Sequence, residues 1–290
     1  MAEAIVTGLA NGGIYGLLAL GIVLAYKGSR VLNFAQGEIG NFALYIAWVI
    51  IEEAGQPWIV GAAAAILAAG VLGGVFERFV VRPMIDAPRL AVTVASIALL
   101  LFITGLELKI WGTSPRLLDG PIAGRGLKVA GFFVSPTHML GLGALLAIGL
   151  GLAVFLRRTD FGLGVLAASQ DPVATRLMGV PLARVSAFTW IAAGALGALA
   201  ALLIEPSIGA FAPGVMTTLF LRGLAAALLG GLTSLPGAFV GGLAIGVVES
   251  VVGEVFVDST FPGVQFVAFM IVILGILLFR PQGLLGKARP

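Results

Sequence analysis

AIVTGLANGGIYGLLALGIVLA, residues 4–25, carries no charged side chain. At 1.5 Å per residue a helix of this length covers about 33 Å, enough to cross the roughly 30 Å hydrocarbon layer of a bilayer. Lys27 and Arg30 follow it at once, where the positive-inside rule puts basic residues on the cytoplasmic side of a span. No basic stretch precedes Ile5, so a cleaved signal peptide is not expected.

The rest of the chain repeats this pattern. Of its 290 residues 59% are hydrophobic and 11% charged, against roughly 25% charged in an ordinary soluble domain. Apolar runs at about 4–25, 31–51, 58–80, 90–111, 138–156, 185–205, 213–232, 236–257 and 263–279 predict an all-α polytopic membrane protein. The expected architecture is a bundle of about nine transmembrane helices forming one domain over residues 1–290. The second run is interrupted by Asn33, Gln36, Glu38 and Asn41, so a broken or re-entrant second helix stays open there.

Lys and Arg placement sets the orientation. With the N-terminus outside, Lys27, Arg30, Arg78, Arg82, Arg89, Arg157, Arg158, Arg176, Arg184, Arg280, Lys287 and Arg289 fall inside, and the outer face receives only Lys109, Arg116, Arg125 and Lys128. Glu52, Glu53, Glu254 and Asp258 then point outward. An N-out, C-in topology follows. Net charge +3 and a pI near 9.6 therefore report orientation, with no nucleic-acid partner expected. Two connections are long: 112–137, an external loop that caps the pore mouth or, the favoured reading, plainly spaces two spans, and 157–184, a cytoplasmic loop. The middle of the latter, LAASQDPVATRLMG, predicts a short amphiphilic helix broken at Asp171-Pro172 and ended by Gly179.

The 42 glycines have a use in lipid, where small residues let helix backbones approach. Gly8, Gly12 and Gly16 recur every fourth residue, as do Gly70 and Gly74, Gly237 and Gly241, and Gly242 and Gly246; these predict tight helix packing and no chemistry.

Ionisable residues inside spans usually face a route or a partner, and Glu38, Arg222 and Glu249 qualify. Spans seven and eight form a hairpin about Thr233–Pro236, which sets Arg222 and Glu249 within about 4.5 Å of the same depth and predicts a structural ion pair. Glu38, Asn41 and Tyr45 share a helical face. With Asn33 and Gln36 they are the candidate lining of a translocation path, or else a polar network locking span two to its neighbours. Cysteine is absent and His138 is alone, so no metal site is expected. No Gly-x4-Gly-Lys-Ser/Thr loop occurs, and no Ser–His–Asp set stands out, so an enzyme is not expected.

Five stretches in order resemble the branched-chain amino acid (LIV-type) ABC importer permeases along nearly the whole chain. They are NGGIYGLLALGIVLAYKGSRVLNFAQGEIG at 11–40, ERFVVRPM at 77–84, RRTDFGLGVLAASQDPVATRLMGVPLARV at 157–185, LLGGLTSLPGAFVGGLAIGVVES at 228–250 and FRPQGLLG at 279–286. Two departures are visible. Gln36 stands where the family commonly has His, and Val173, Ala174 and Thr175 stand where importers often carry Glu-Ala-Ala.

The resemblance implies a permease subunit in a bacterial inner membrane, binding no cofactor itself. Its implied partners are cytoplasmic ABC ATPase subunits that use ATP, a second permease identical or homologous to it, and a periplasmic solute-binding protein. The 157–184 loop becomes the ATPase coupling loop, with Arg157, Arg158, Asp171, Arg176 and Gly179 as its candidate residues. The expected cargo is branched-chain amino acids or similar small polar solutes. An ion-coupled secondary transporter or channel remains the alternative, with Glu38 as its proton site, and an assembly subunit without a solute is a third reading.

Overall fold

A computed structural model describes residues 1–84, 87–121, 127–129, 132–134, 136–256, 263–280 and 282–286. Arg125, Asp258, Pro281, Lys287 and Arg289, together with 122–126, 130, 131 and 135 of the expected external loop, lie outside the described residues.

The first apolar run becomes α1 (Ala2–Ser29), and every residue from Gly12 to Ala25 is buried. A helix without a polar face has no side to offer water, and here it has no side left for lipid either: it is the axis of the bundle. The remaining helices are α2 (Gln36–Trp48), α3 (Trp58–Phe76), α4 (Arg89–Trp111), α5 (Pro136–Arg158), α6 (Asp160–Gln170), α7 (Pro172–Leu177), α8 (Leu182–Ile208), α9 (Met216–Gly230), α10 (Leu235–Val255) and α11 (Val264–Phe279). π-helical turns at Val49–Glu53 and Glu77–Val81 extend α2 and α3.

Glycine decides which helices meet. On α1, a Cβ at Gly8 would stand 2.6 Å from Val247 Cα, and one at Gly12 would stand 2.7 Å from Leu243 Cα. The facing glycines of α10, Gly242 and Gly246, meet α1 backbone in the same way. A second seam joins α3 to α8, where a Cβ on Gly73 would stand 2.5 Å from the Trp190 carbonyl oxygen. Side chains on the outer helices are apolar and exposed, among them Leu67, Leu101, Leu150 and Leu278. That is the surface expected of a bundle whose solvent is lipid.

Among the described residues six helices are long and apolar enough to cross a membrane: Ala2–Ser29, Trp58–Val81, Arg89–Trp111, Pro136–Arg158, Leu182–Ile208 and Leu235–Val255. The runs expected at 31–51, 213–232 and 263–279 give shorter helices, and at 1.5 Å per residue α9 extends only about 22 Å. The second run starts late because its signature residues form a turn. Asn33 Oδ1 accepts the Ala35 N–H at 3.1 Å and the Phe34 N–H donates to Ser96 Oγ at 3.2 Å, so helix begins only at Gln36.

The long 112–137 connection contains a two-stranded antiparallel ribbon, β1 (Leu127–Val129) with β2 (Phe132–Val134). Its first part is tied to the bundle. Arg116 and Phe211 exchange backbone hydrogen bonds at 2.9 Å in both directions, and the Arg116 guanidinium lies 4.4 Å from the Trp48 ring centre.

Candidate functional site

The polar face of α2 is sealed inside the protein. Asn33, Gln36, Glu38, Asn41 and Tyr45 are all fully buried. Glu38 lies at the start of α9, where unpaired N–H groups favour a carboxylate. Thr217 Oγ1 donates to Glu38 Oε1 at 2.7 Å, and Thr104 on α4 approaches the other oxygen at 3.4 Å.

One and two turns further along α2, Asn41 and Tyr45 reach α4 and the chain before α9. Asn41 Nδ2 donates to Glu107 Oε2 at 2.8 Å and to the Ala212 carbonyl at 3.1 Å. Tyr45 stacks on Trp111, ring centres 4.5 Å apart and nearly parallel, and meets Phe211 edge-on. Gln36 turns the other way and donates to the Leu18 carbonyl on α1 at 3.2 Å. In this conformation the five residues expected to line a path expose no surface, Asn33 closes the turn before α2, and Gln36, Glu38, Asn41 and Tyr45 join α2 to α1, α4 and α9.

Glu107 and Glu205, both buried, belong to this polar interior, and the sequence reading missed them. Glu205 Oε1 accepts the Leu118 N–H at 3.1 Å, which helps hold the 112–121 segment down. Both lie near the ends of apolar runs, where a carboxylate reads as interfacial. The available signal was periodicity, since Ile103 and Glu107 stand one turn apart on a buried face of α4.

Arg222 and Glu249 form the second constellation. Arg222 Nη2 stands 2.7 Å from Glu249 Oε1, bridging α9 and α10. The guanidinium lies 5.8 Å from the ring centre of the buried Tyr15. The pair is not enclosed: 27% of the Arg222 side chain and 13% of that of Glu249 remain exposed. Charged groups at mid-bilayer cost at least about 2.5–3.5 kcal/mol each on insertion scales, so a partly open pair is a poor surface for lipid.

The third constellation projects from one end. Arg157 and Arg158 close α5 and are exposed. Thr159 caps α6 through the Gly162 N–H at 3.0 Å, and Asp171 caps α7, accepting from Val173 and Ala174 N–H at 2.9 and 3.1 Å. The helix break falls at Asp171-Pro172, and Gly179 ends the segment with φ +81°. Arg176 is exposed, and beside it Val173, Leu177 and Met178 are 71%, 83% and 84% exposed. Together these large apolar side chains form an exposed apolar patch on and just beyond a six-residue helix.

Arg30 links this loop to the signature turn. It adopts φ +58°, unusual for a residue with a side chain, and its Nη2 donates to the Ser169 carbonyl at 3.2 Å and to that of Gln170 at the end of α6. Among the described residues no group of three or more His, Cys, Asp or Glu side chains could hold a metal ion.

Comparison with known proteins places this geometry. The chain is 30% identical to the high-affinity branched-chain amino acid transport system permease protein BraD of Pseudomonas aeruginosa, over 98% of its own length and 95% of that protein's. It is 28% identical to the LivH permease proteins of the corresponding systems of Salmonella typhimurium and Escherichia coli, covering 97% of this chain and 94% of each. Among solved structures, PsaBC from Streptococcus pneumoniae in complex with Fab has a similar fold, with a TM-score of 0.52 at 16% identity over 97% of this chain and 92% of that one. The family described as branched-chain amino acid transport system / permease component matches residues 4–280. From Ala4 to Arg280, then, this chain belongs to that permease family, and it is a multi-pass membrane transport protein.

Proposed function

We propose that this chain is the membrane-spanning subunit of an ATP-driven importer. It moves branched-chain amino acids or similar small polar solutes across a bacterial inner membrane after an external solute-binding protein delivers them. It runs N-out and C-in, crosses about nine times, and works beside a second permease, identical or related, and two cytoplasmic ATPase subunits. The chain's own sequence has no phosphate-binding loop. Residues 157–184 are the coupling loop and 112–137 lie outside.

The carrying observation is α7, whose exposed apolar residues flank Arg176 between an Asp171 cap and the Gly179 turn. A rigid, capped knob of this kind transmits a push. Arg30 gives the push a route, because it joins the end of α6 to the turn from which α2 starts. α2 in turn is bonded to α4 and to the start of α9 through Asn41, Glu38 and their partners. A bundle packed backbone to backbone at glycine then moves as rigid bodies and does not absorb the motion.

The buried carboxylates Glu38 and Glu107 are what favours the other reading, proton-coupled transport. Glu38→Gln separates the two. Gln keeps the size of the side chain and can still accept from Thr217. Uptake by the Glu38→Gln transporter is expected to stay within about twofold of wild type in the importer; in a proton-coupled carrier it is expected to vanish, and uptake of labelled leucine in whole cells reads the difference. The docking role is tested by affinity capture. The intact chain should retain its ATPase subunits in detergent, and Val173→Asp/Leu177→Asp should release them while leaving the melting temperature of the permease unchanged. Retention by that variant would contradict the docking role.

A further inference from the structure

Four arginines converge where two membrane helices end. Arg30, Arg82, Arg89 and Arg176 line a cleft of about 380 Å³ between the α3–α4 connection and the 157–184 loop. Arg82 directly follows the apolar helix Trp58–Val81, and Arg89 begins the apolar helix Arg89–Trp111, so both stand where hydrocarbon gives way to headgroups. Apolar side chains adjoin them at once: Phe79 and Leu90 are 73% and 74% exposed.

The charges of the cleft do not cancel. Among the described residues Glu77 is the one acidic group lining it; it is fully buried and accepts from Arg82 with both oxygens, at 3.3 and 2.8 Å. Arg82 also donates to the Ala183 carbonyl, and Arg30 donates to the Ser169 and Gln170 carbonyls, which fixes both side chains in the wall. Arg89 and Arg176 are exposed, and among the described residues neither forms a salt bridge. Asp86 of the α3–α4 connection lies outside the described residues; counted against the arginines, it still leaves four of them to two carboxylates.

The occupant follows from this chemistry. A guanidinium matches the oxygens of a phosphate in pairs, and a basic pocket between helices at the membrane surface suits a lipid headgroup. Met84 and Leu182 also line the cleft and are partly open, so a ligand there meets apolar surface beside the charges. A phospholipid brings an anion and hydrocarbon together at this depth, whereas a soluble anion brings only the first. A zwitterionic headgroup would set its own cation against the arginines.

We propose that this cleft binds the headgroup phosphate of an anionic phospholipid, bridging the α3–α4 connection to α7. That end is cytoplasmic in the orientation proposed above, but the binding does not depend on the orientation.

The test is native mass spectrometry of the full chain in detergent with phosphatidylglycerol or phosphatidylcholine added. Phosphatidylglycerol should bind at least about tenfold more tightly. Arg89→Gln/Arg176→Gln should lower its affinity about tenfold, with the melting temperature retained, while Arg280→Gln, which removes an exposed charge outside the cleft, should change it less than about twofold. Equal binding of the two lipids would overturn the site. So would an equal loss in Arg280→Gln, because basic charge anywhere on the protein would then suffice. Displacement of phosphatidylglycerol by an equal concentration of inorganic phosphate would make the ligand a soluble anion and overturn the lipid.

The measurement is repeated with the ATPase subunits bound, where phosphatidylglycerol should stay. Its release would overturn the proposal, an acidic ATPase side chain then filling the cleft. If the ATPase subunits do not bind at all, the importer reading fails, and the measurements on the full chain still decide the site.

Discussion

Gly242→Leu should deplete the membrane of folded protein. A Cβ at position 242 meets the backbone of Gly16 and the Gly12 carbonyl oxygen, not the movable end of a side chain. Backbone cannot give way by rotamer change, so α10 must separate from α1, the buried helix that also packs on α5, α8 and α9. Overpacking of a close-packed core costs about 1–3 kcal/mol, and a backbone-to-backbone seam belongs at the upper end of that range or above it. Against a total stability of about 5–15 kcal/mol, that lowers both the yield and the melting temperature of detergent-solubilised protein.

Gly105→Leu is the matched control, because its added Cβ has nothing within 4 Å. It should melt with the wild type. Equal melting of the two variants would mean that the α1–α10 seam does not hold the bundle together.

Gly179→Glu should do the opposite, sparing the fold and abolishing transport. Nothing lies within 4 Å of a Cβ there, so the cost is the left-handed backbone alone, about 1–2 kcal/mol for an ordinary side chain. The turn nevertheless fixes the direction of α7, and the new carboxylate lies three residues from Arg176 on the exposed docking face. Uptake should fall more than about tenfold, with ATP hydrolysis no longer raised by loaded binding protein and the melting temperature nearly unchanged. Gly179→Asn, which tolerates φ near +81°, should keep most of the activity. Normal coupled uptake by Gly179→Glu would remove the docking role from this loop.

What could be read in the sequence was what depends on composition and local spacing. Residues 4–25 declare a membrane helix because no charged side chain interrupts a long apolar run, and the four-residue glycine spacing points to close packing because it recurs on one helical face. The break at Asp171-Pro172 and the stop at Gly179 are local chemistry, a cap and a left-handed turn. Hairpin arithmetic could set Arg222 and Glu249 at similar depth, because both are counted from the same turn; they stand 2.7 Å apart.

Partners across the fold were out of reach. Glu38 meets Thr217, 179 positions away, and Asn41 meets Glu107 across 66. No spacing rule reaches that far. The start of α2 could be placed only loosely for a related reason: Asn33 interrupts the second run, and its side chain closes a turn that delays the helix to Gln36. The lengths of α2, α9 and α11 likewise depend on turns that hydropathy does not see, such as Gly209 and Gly214 with positive φ ahead of α9.

The central claim is that ATP, used by other chains, drives solute through this one. It is tested most directly in proteoliposomes holding the complete transporter, with ATP supplied on the ATPase side and an ionophore present to collapse any proton gradient. Uptake of a labelled branched-chain amino acid that requires ATP and the binding protein, and continues undiminished with the gradient gone, is the predicted result. Uptake that follows the gradient and proceeds without ATP would contradict the account.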